Sequence, residues 1–98
     1  DIMLVLITYD VNTETSAGKT RLRKVAKQCV NYGRRVQNSV FECVIDETHF
    51  IILKHQIEDI IDENADSVRF YLMGKNWARK VIQIGKKTSY NIESELII

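Results

Sequence analysis

The chain has 98 residues, 45% apolar and 28% charged, with a net charge of +1. That is one domain of ordinary globular composition, which excludes disordered, collagen-like and low-complexity classes. The longest apolar runs are only a few residues, too short for a bilayer, and the Ile2 to Ile7 run passes directly into Tyr9-Asp10, unlike a secretory leader.

Cys29 and Cys43 lie 14 positions apart with no CxxC pair, which points to a reduced, cytoplasmic protein. Asp1-Ile2 reads as an appended remnant and Met3 as the natural start, so the expected domain is a single unit over 3–98. A core of this size is modest, and a dimer interface would supplement it.

The small net charge conceals strong segregation. Thr15 to Phe41 contains no acid and seven bases, Lys19, Arg21, Arg23, Lys24, Lys27, Arg34 and Arg35. Glu42 to Asp66 reverses this, with eight acids against Lys54 alone. One face suited to polyanions and another that is acidic and solvated is the physical implication. Solvated helix faces are the plainer alternative.

Along the chain, Met3 to Tyr9 is a branched, near-continuous apolar run that predicts a central strand buried on both faces. Thr13, Thr15 or Ser16 can cap the helix that follows. Leu22, Val25, Ala26, Cys29 and Val30 form its predicted apolar stripe, and Gly33 its C-terminal glycine. Val36 to Ile45 reads as a short strand, a kink at Gln37-Asn38 and a longer strand.

Asp46-Glu47-Thr48 opens a second helix with acids at its positive end. Its predicted stripe is Phe50, Leu53, Ile57, Ile60 and Ile61, and Asn64-Ala65-Asp66 closes it. Ser67 to Met73 alternates, with Val68, Phe70 and Leu72 inward and Arg69 and Tyr71 outward. Gly74-Lys75-Asn76 turns the chain into a further strand over Ala78 to Ile84, and Leu96-Ile97-Ile98 is an apolar end. The order is that of an α+β ferredoxin-like βαββαβ sandwich with an extra C-terminal strand. Its open sheet face would suit a second protomer. Such a fold hosts many activities, so function must come from the residues.

Several candidate sites are weak. Gly18-Lys19-Thr20 resembles a phosphate-binding loop, but the required earlier glycine is Thr13. His49 and His55 are six apart, a poor spacing for one helix face and for a metal. Cys29 and Cys43 fit the core. Tyr71, Trp77 and Tyr90 could stack bases, although strand aromatics usually pack. Asp10 is sharper, because it sets a carboxylate at the end of an apolar strand. There it can hold Mg²⁺ or cap the following loop. Arg34 and Arg35 suit bidentate phosphate contact.

These residues carry a family resemblance. The segments Leu4-Val5-Leu6-Ile7-Thr8-Tyr9-Asp10-Val11, Arg21-Leu22-Arg23-Lys24-Val25-Ala26-Lys27, Asn31-Tyr32-Gly33, Arg35-Val36-Gln37-Asn38-Ser39-Val40-Phe41-Glu42-Cys43 and Asp66-Ser67-Val68-Arg69-Phe70-Tyr71, with the terminal Leu96-Ile97-Ile98, resemble the small CRISPR-associated adaptation protein. That family is the ferredoxin-like second subunit of the spacer-acquisition complex.

The resemblance implies a homodimer of packed sheets, with Gly85 to Ile98 exchanged onto the partner's sheet. It implies Asp10 as a Mg²⁺ ligand shared across the dimer. Tyr9, Arg21, Phe41 and either Arg34 or Arg35 fall where the family carries residues linked to nuclease activity. The implied chemistry is metal-dependent cleavage of single-stranded RNA or double-stranded DNA, and the implied partner is the CRISPR integrase subunit.

Composition and resemblance agree on a polyanion. Lys19, Arg23, Lys24 and Lys27 would contact phosphates with little base readout. A metal-bound hydroxide would be the nucleophile, with arginines stabilising developing charge. Three other readings compete: a non-catalytic DNA-bridging scaffold, a ribonuclease toxin of similar fold and a small-molecule-sensing regulator. The last lacks a glycine-rich ligand loop.

Overall fold

The computed structural model describes residues 2–74 and 77–86. In chain order these form β1 (Ile2–Asp10), α1 (Ser16–Tyr32), β2 (Gly33–Gln37), β3 (Val40–Asp46), α2 (Glu47–Ile60), β4 (Ser67–Gly74) and β5 (Trp77–Gly85). The five strands make one antiparallel sheet in the order β2-β3-β1-β4-β5. This is the expected βαββαβ order with one strand added after it. No helix among the described residues is long and apolar enough to cross a membrane.

The core lies between the two helices and one sheet face. β1 sends Met3, Val5, Ile7 and Tyr9 into it, β3 adds Phe41 and Cys43, and β4 adds Val68, Phe70 and Leu72. From the helices come Val25, Cys29, Phe50, Leu53 and Ile57. Phe50 and Phe70 meet edge to face at 5.4 Å between ring centres, a favoured aromatic geometry.

Several expectations need correction. β1 is central but fully buried on one face only, because Leu4, Leu6 and Thr8 on the other face remain half-exposed. Both helices pack on the same side, so the described residues supply no helix for the second face. Val30 leaves the α1 stripe and is 58% exposed. At about 100° per residue it falls between Lys19 and Arg23, roughly a quarter-turn away from the arc of Leu22, Val25 and Cys29. Arg69 and Tyr71 are buried along with their inward neighbours, so β4 is not half-exposed.

Gly33 does end α1, but its φ of −160° is extended rather than left-handed. β2 begins at once, earlier than the expected Val36. α2 ends at Ile60, before Asn64. The turn that follows is held by the Asp62 carbonyl, which accepts from the amides of Ala65 and Asp66.

Both helices carry side-chain caps at their N-termini. Thr15 takes the α1 cap and accepts from the Gly18 amide at 3.0 Å. Asp46 caps α2 and accepts from the His49 amide at 2.8 Å. A side chain at Gly18 would strike the Asn12 carbonyl, so this glycine lets the β1–α1 loop lie against the helix. The expected tail exchange over Gly85 to Ile98 falls almost wholly outside the described residues. Gly85 itself closes β5, opposite Ser67 in its own sheet.

Candidate functional site at the end of β1

β1 ends on Tyr9-Asp10, and strand alternation sends these two side chains to opposite faces. Tyr9 is buried toward the helices, its ring stacked on Phe41 at 6.1 Å and 24°. Its hydroxyl donates to the Asn38 carbonyl at 3.3 Å and ties the β2–β3 turn to β1. Burial pushes the phenol above its ordinary pKa, Cys29 adds to that, and Arg35 opposes it.

Asp10 is exposed and lies beside Ser67 in the register. Its carboxylate makes no hydrogen bond or ion pair among the described residues. The capping alternative is therefore not realised. Thr15 takes the helix cap, and two loop amides have other partners. The Asn12 amide donates to Asp66 Oδ1 at 2.9 Å and the Glu14 amide to Asn12 Oδ1 at 2.9 Å.

The same alternation separates the two candidate arginines. Arg35 pairs with Phe41 in the register and lies over its ring, with the guanidinium carbon 5.2 Å from the centroid. That is a cation–π contact on the Tyr9 side. Arg34 pairs with Glu42 in the register, and its guanidinium contacts that carboxylate at 3.1 Å on the Asp10 side. Arg34 is 80% exposed, so this pair contributes little to stability.

Arg21 is committed elsewhere. Its Nε donates to Asp66 Oδ2 at 2.7 Å. Asp66 is fully buried and also accepts from the Asp62 amide at 2.9 Å. Burial pushes its pKa up, but the Arg21 hydrogen bond and the Asp62 and Asn12 amides outweigh that and hold the carboxyl below its ordinary value. This network fastens the β1–α1 loop, α1 and the α2–β4 turn together behind β1. Sequence reading missed it, because Arg21 and Asp66 are 45 positions apart and nothing local pairs them.

Lys19, Arg23, Lys24 and Lys27 are exposed along α1. Lys19 and Arg23 join Arg35 on a groove of about 390 Å³, with Tyr9, Leu22 and Ala26 beneath. The sequence marked these cations individually but not the concavity between them. Cys29 and Cys43 are buried as expected, and burial pushes their thiols up to about 12 and about 11.

Among the described residues, no group of three or more His, Cys, Asp or Glu is placed to hold a metal. His49 Nδ1 instead faces the Asp46 carboxylate at 2.7 Å, and His55 lies 3.7 Å from Glu58. Asp10 has both oxygens unspent among the described residues and suits a hard cation, but alone it is an incomplete ligand set. A second carboxylate would be needed beside it to hold Mg²⁺.

Comparison with known proteins follows this geometry closely. The family model described as CRISPR associated protein Cas2 matches residues 3–81. A relative from Halalkalibacterium halodurans, named CRISPR-associated endonuclease Cas2, is 56% identical over 97% of this chain and 99% of its own. One from Nitratidesulfovibrio vulgaris, named CRISPR-associated endoribonuclease Cas2, is 49% identical over 100% of this chain and 96% of its own. The crystal structure of Streptococcus pyogenes Cas2 at pH 6.5 superposes with a TM-score of 0.70 at 65% identity, covering 76% of this chain and 90% of that one. The fold, the Tyr9-Asp10 strand end and matches over nearly the whole length lead to one conclusion: the chain belongs to the Cas2 family.

Proposed function

We propose that this protein is a CRISPR adaptation subunit that acts in the cytoplasm as a homodimer and hydrolyses phosphodiester bonds in double-stranded DNA or single-stranded RNA with Mg²⁺. The observation that carries this reading is the unspent Asp10 carboxylate. Asp66 and Asp46 are consumed by structural hydrogen bonds, whereas Asp10, at the end of the central strand, has no partner among the described residues. The names carried by the relatives support cleavage as the activity.

Two Asp10 side chains, one from each protomer, would hold the ion, which supplies Lewis acidity and a lowered pKa for bound water. β1 fixes the carboxylate through its pairing with both neighbouring strands. Of Arg34 and Arg35, Arg34 is the one on the Asp10 face, and it is available to a phosphate through exchange from Glu42. Arg21 acts as a positioning residue, because its guanidinium braces the loop after Asp10 through Asp66. The α1 cations grip the phosphate backbone without reading bases. Half-exposed Leu4 and Leu6 and exposed Val44 give the open sheet face an apolar surface for the second protomer.

The test is cleavage of both substrates with and without Mg²⁺ by the wild type and Asp10→Ala. Loss in the variant and in chelator supports the reading. Equal residual cleavage in both proteins overturns it. One observation favours a second reading, a DNA-bridging scaffold for the CRISPR integrase subunit. The α1 cations and Arg35 lie on the helix side of the sheet, so a polyanion can be held without Asp10. Under that reading DNA binding survives Asp10→Ala and integration remains intact.

A further inference from the structure

The groove beside Tyr9 lies on the helix side of the sheet, away from the Asp10 carboxylate. Arg35, Arg23 and Lys19 line it, and no carboxylate among the described residues does. Two arginines elsewhere differ: Arg21 is paired with Asp66 and Arg34 with Glu42. Arg23 and Arg35 have no carboxylate partner among the described residues.

Arg35 is also held in place. Its guanidinium rests on Phe41, which stacks on Tyr9, which is tied through its hydroxyl to the β2–β3 turn. A planar guanidinium fixed on a ring keeps its fork free for an oxyanion, at little ordering cost. The floor is apolar, with Leu22 and Ala26 packed against the core. A volume of about 390 Å³ is small but within the range of ligand sites. Anion-binding cations at the rim, an apolar floor and polar Asn38 and Ser39 at one end match the parts of a nucleotide.

We propose that this groove is a nucleotide-binding site, in which Arg35, Arg23 and Lys19 hold one phosphate and Leu22 and Ala26 support the attached sugar and base. Its ligand class rests on the nucleic-acid reading above, but its existence does not depend on cleavage. The nucleotide is either free or one unit of a bound strand. Because Tyr9 and Asp10 face opposite ways, occupation of the groove leaves the Asp10 carboxylate on the other sheet face.

The test is equilibrium binding by the full-length protein in chelator, so that no cleavage is read. Calorimetry measures adenosine monophosphate and, separately, inorganic phosphate. Anisotropy measures a short labelled single strand, alone and against adenosine monophosphate. The variant is Arg23→Gln with Arg35→Gln. Lys54→Gln with Lys80→Gln, on the far side of the molecule, removes the same charge. Circular dichroism confirms that both fold.

The expected result is adenosine monophosphate binding at least about tenfold tighter than phosphate and lost in the groove variant but kept in the control. The strand affinity of the groove variant should carry a salt slope shallower by about 1 to 2 than that of the control. Displacement of the strand by adenosine monophosphate identifies the ligand as a strand nucleotide. Binding of adenosine monophosphate without displacement identifies it as a free nucleotide. The proposal is overturned if adenosine monophosphate binds no better than phosphate, or if the two double variants bind it equally. Neither result bears on whether Asp10 supports hydrolysis.

Discussion

Tyr9 and Asp10 are adjacent in the chain and lie on opposite faces of the sheet. Tyr9 stacks on Phe41 in the core, while Asp10 is exposed with no partner among the described residues. Residues that look like one motif in sequence therefore divide into two surfaces. Asp10 and Arg34 face the open side, and Tyr9, Phe41 and Arg35 face the helix side.

Asp10→Asn should separate stability from chemistry. Asp10 makes no stabilising contact among the described residues, so unfolding free energy should change by no more than about 0.5 kcal/mol. Cleavage should fall by about 100-fold or more, as when a group that stabilises developing charge is removed. Denaturant titration beside a cleavage assay reads both. A variant that unfolds easily would show that Asp10 carries structure instead.

Asp66→Ala should behave in the opposite way. It removes a fully buried acceptor and strands the amides of Asn12 and Asp62 together with the Arg21 guanidinium. The expected loss is about 3 kcal/mol, read by urea unfolding. Arg21→Ala should lower both stability and turnover, whereas Arg21→Lys should recover part of the stability first.

The pH dependence of stability follows from the same carboxylate. Asp66 has a depressed pKa in the folded state, so its contribution is present above the unfolded value of about 3.9 and is lost as pH falls through the folded value. Unfolding midpoints measured downward from pH 5 should therefore drop more steeply in the wild type than in Asp66→Asn.

Cys29 and Cys43 should be inert in the native protein. Burial pushes their pKa values up to about 12 and about 11, so both remain thiols at neutral pH. A thiol reagent at pH 8 should titrate neither until denaturant is added. Because these values are raised, the associated stability is complete below the unfolded value of about 8.5 and is lost as pH climbs toward the folded values. A rapid reaction in the native state would contradict the closed packing of α1 on β3.

The open face predicts self-association. Val44, 65% exposed, lies beside Leu4 in the register, and Leu6 follows on the same face. Val44→Asp should shift the proposed dimer toward the 11.4 kDa chain in sedimentation or light scattering without unfolding it. An unchanged mass would place the interface elsewhere.

The sequence alone determined the element order, the inward stripe of α2 and the placement of both cysteines, because these depend on local periodicity and capping chemistry. It also isolated Asp10, since a carboxylate closing an apolar strand stands out without any partner. Only the tertiary structure decided what each charged side chain faces. Arg21 and Asp66 meet because α1 and the α2–β4 turn close over the same end of β1, a contact between residues far apart in sequence. Arg34 and Arg35 could not be told apart until β2 was registered against β3, which set one beside Glu42 and the other beside Phe41. Val30, apolar and near the stripe, was left exposed because its angle on α1 follows the cations rather than the core. Periodicity assigns a residue to a face, but its chemistry depends on what the fold brings to that face.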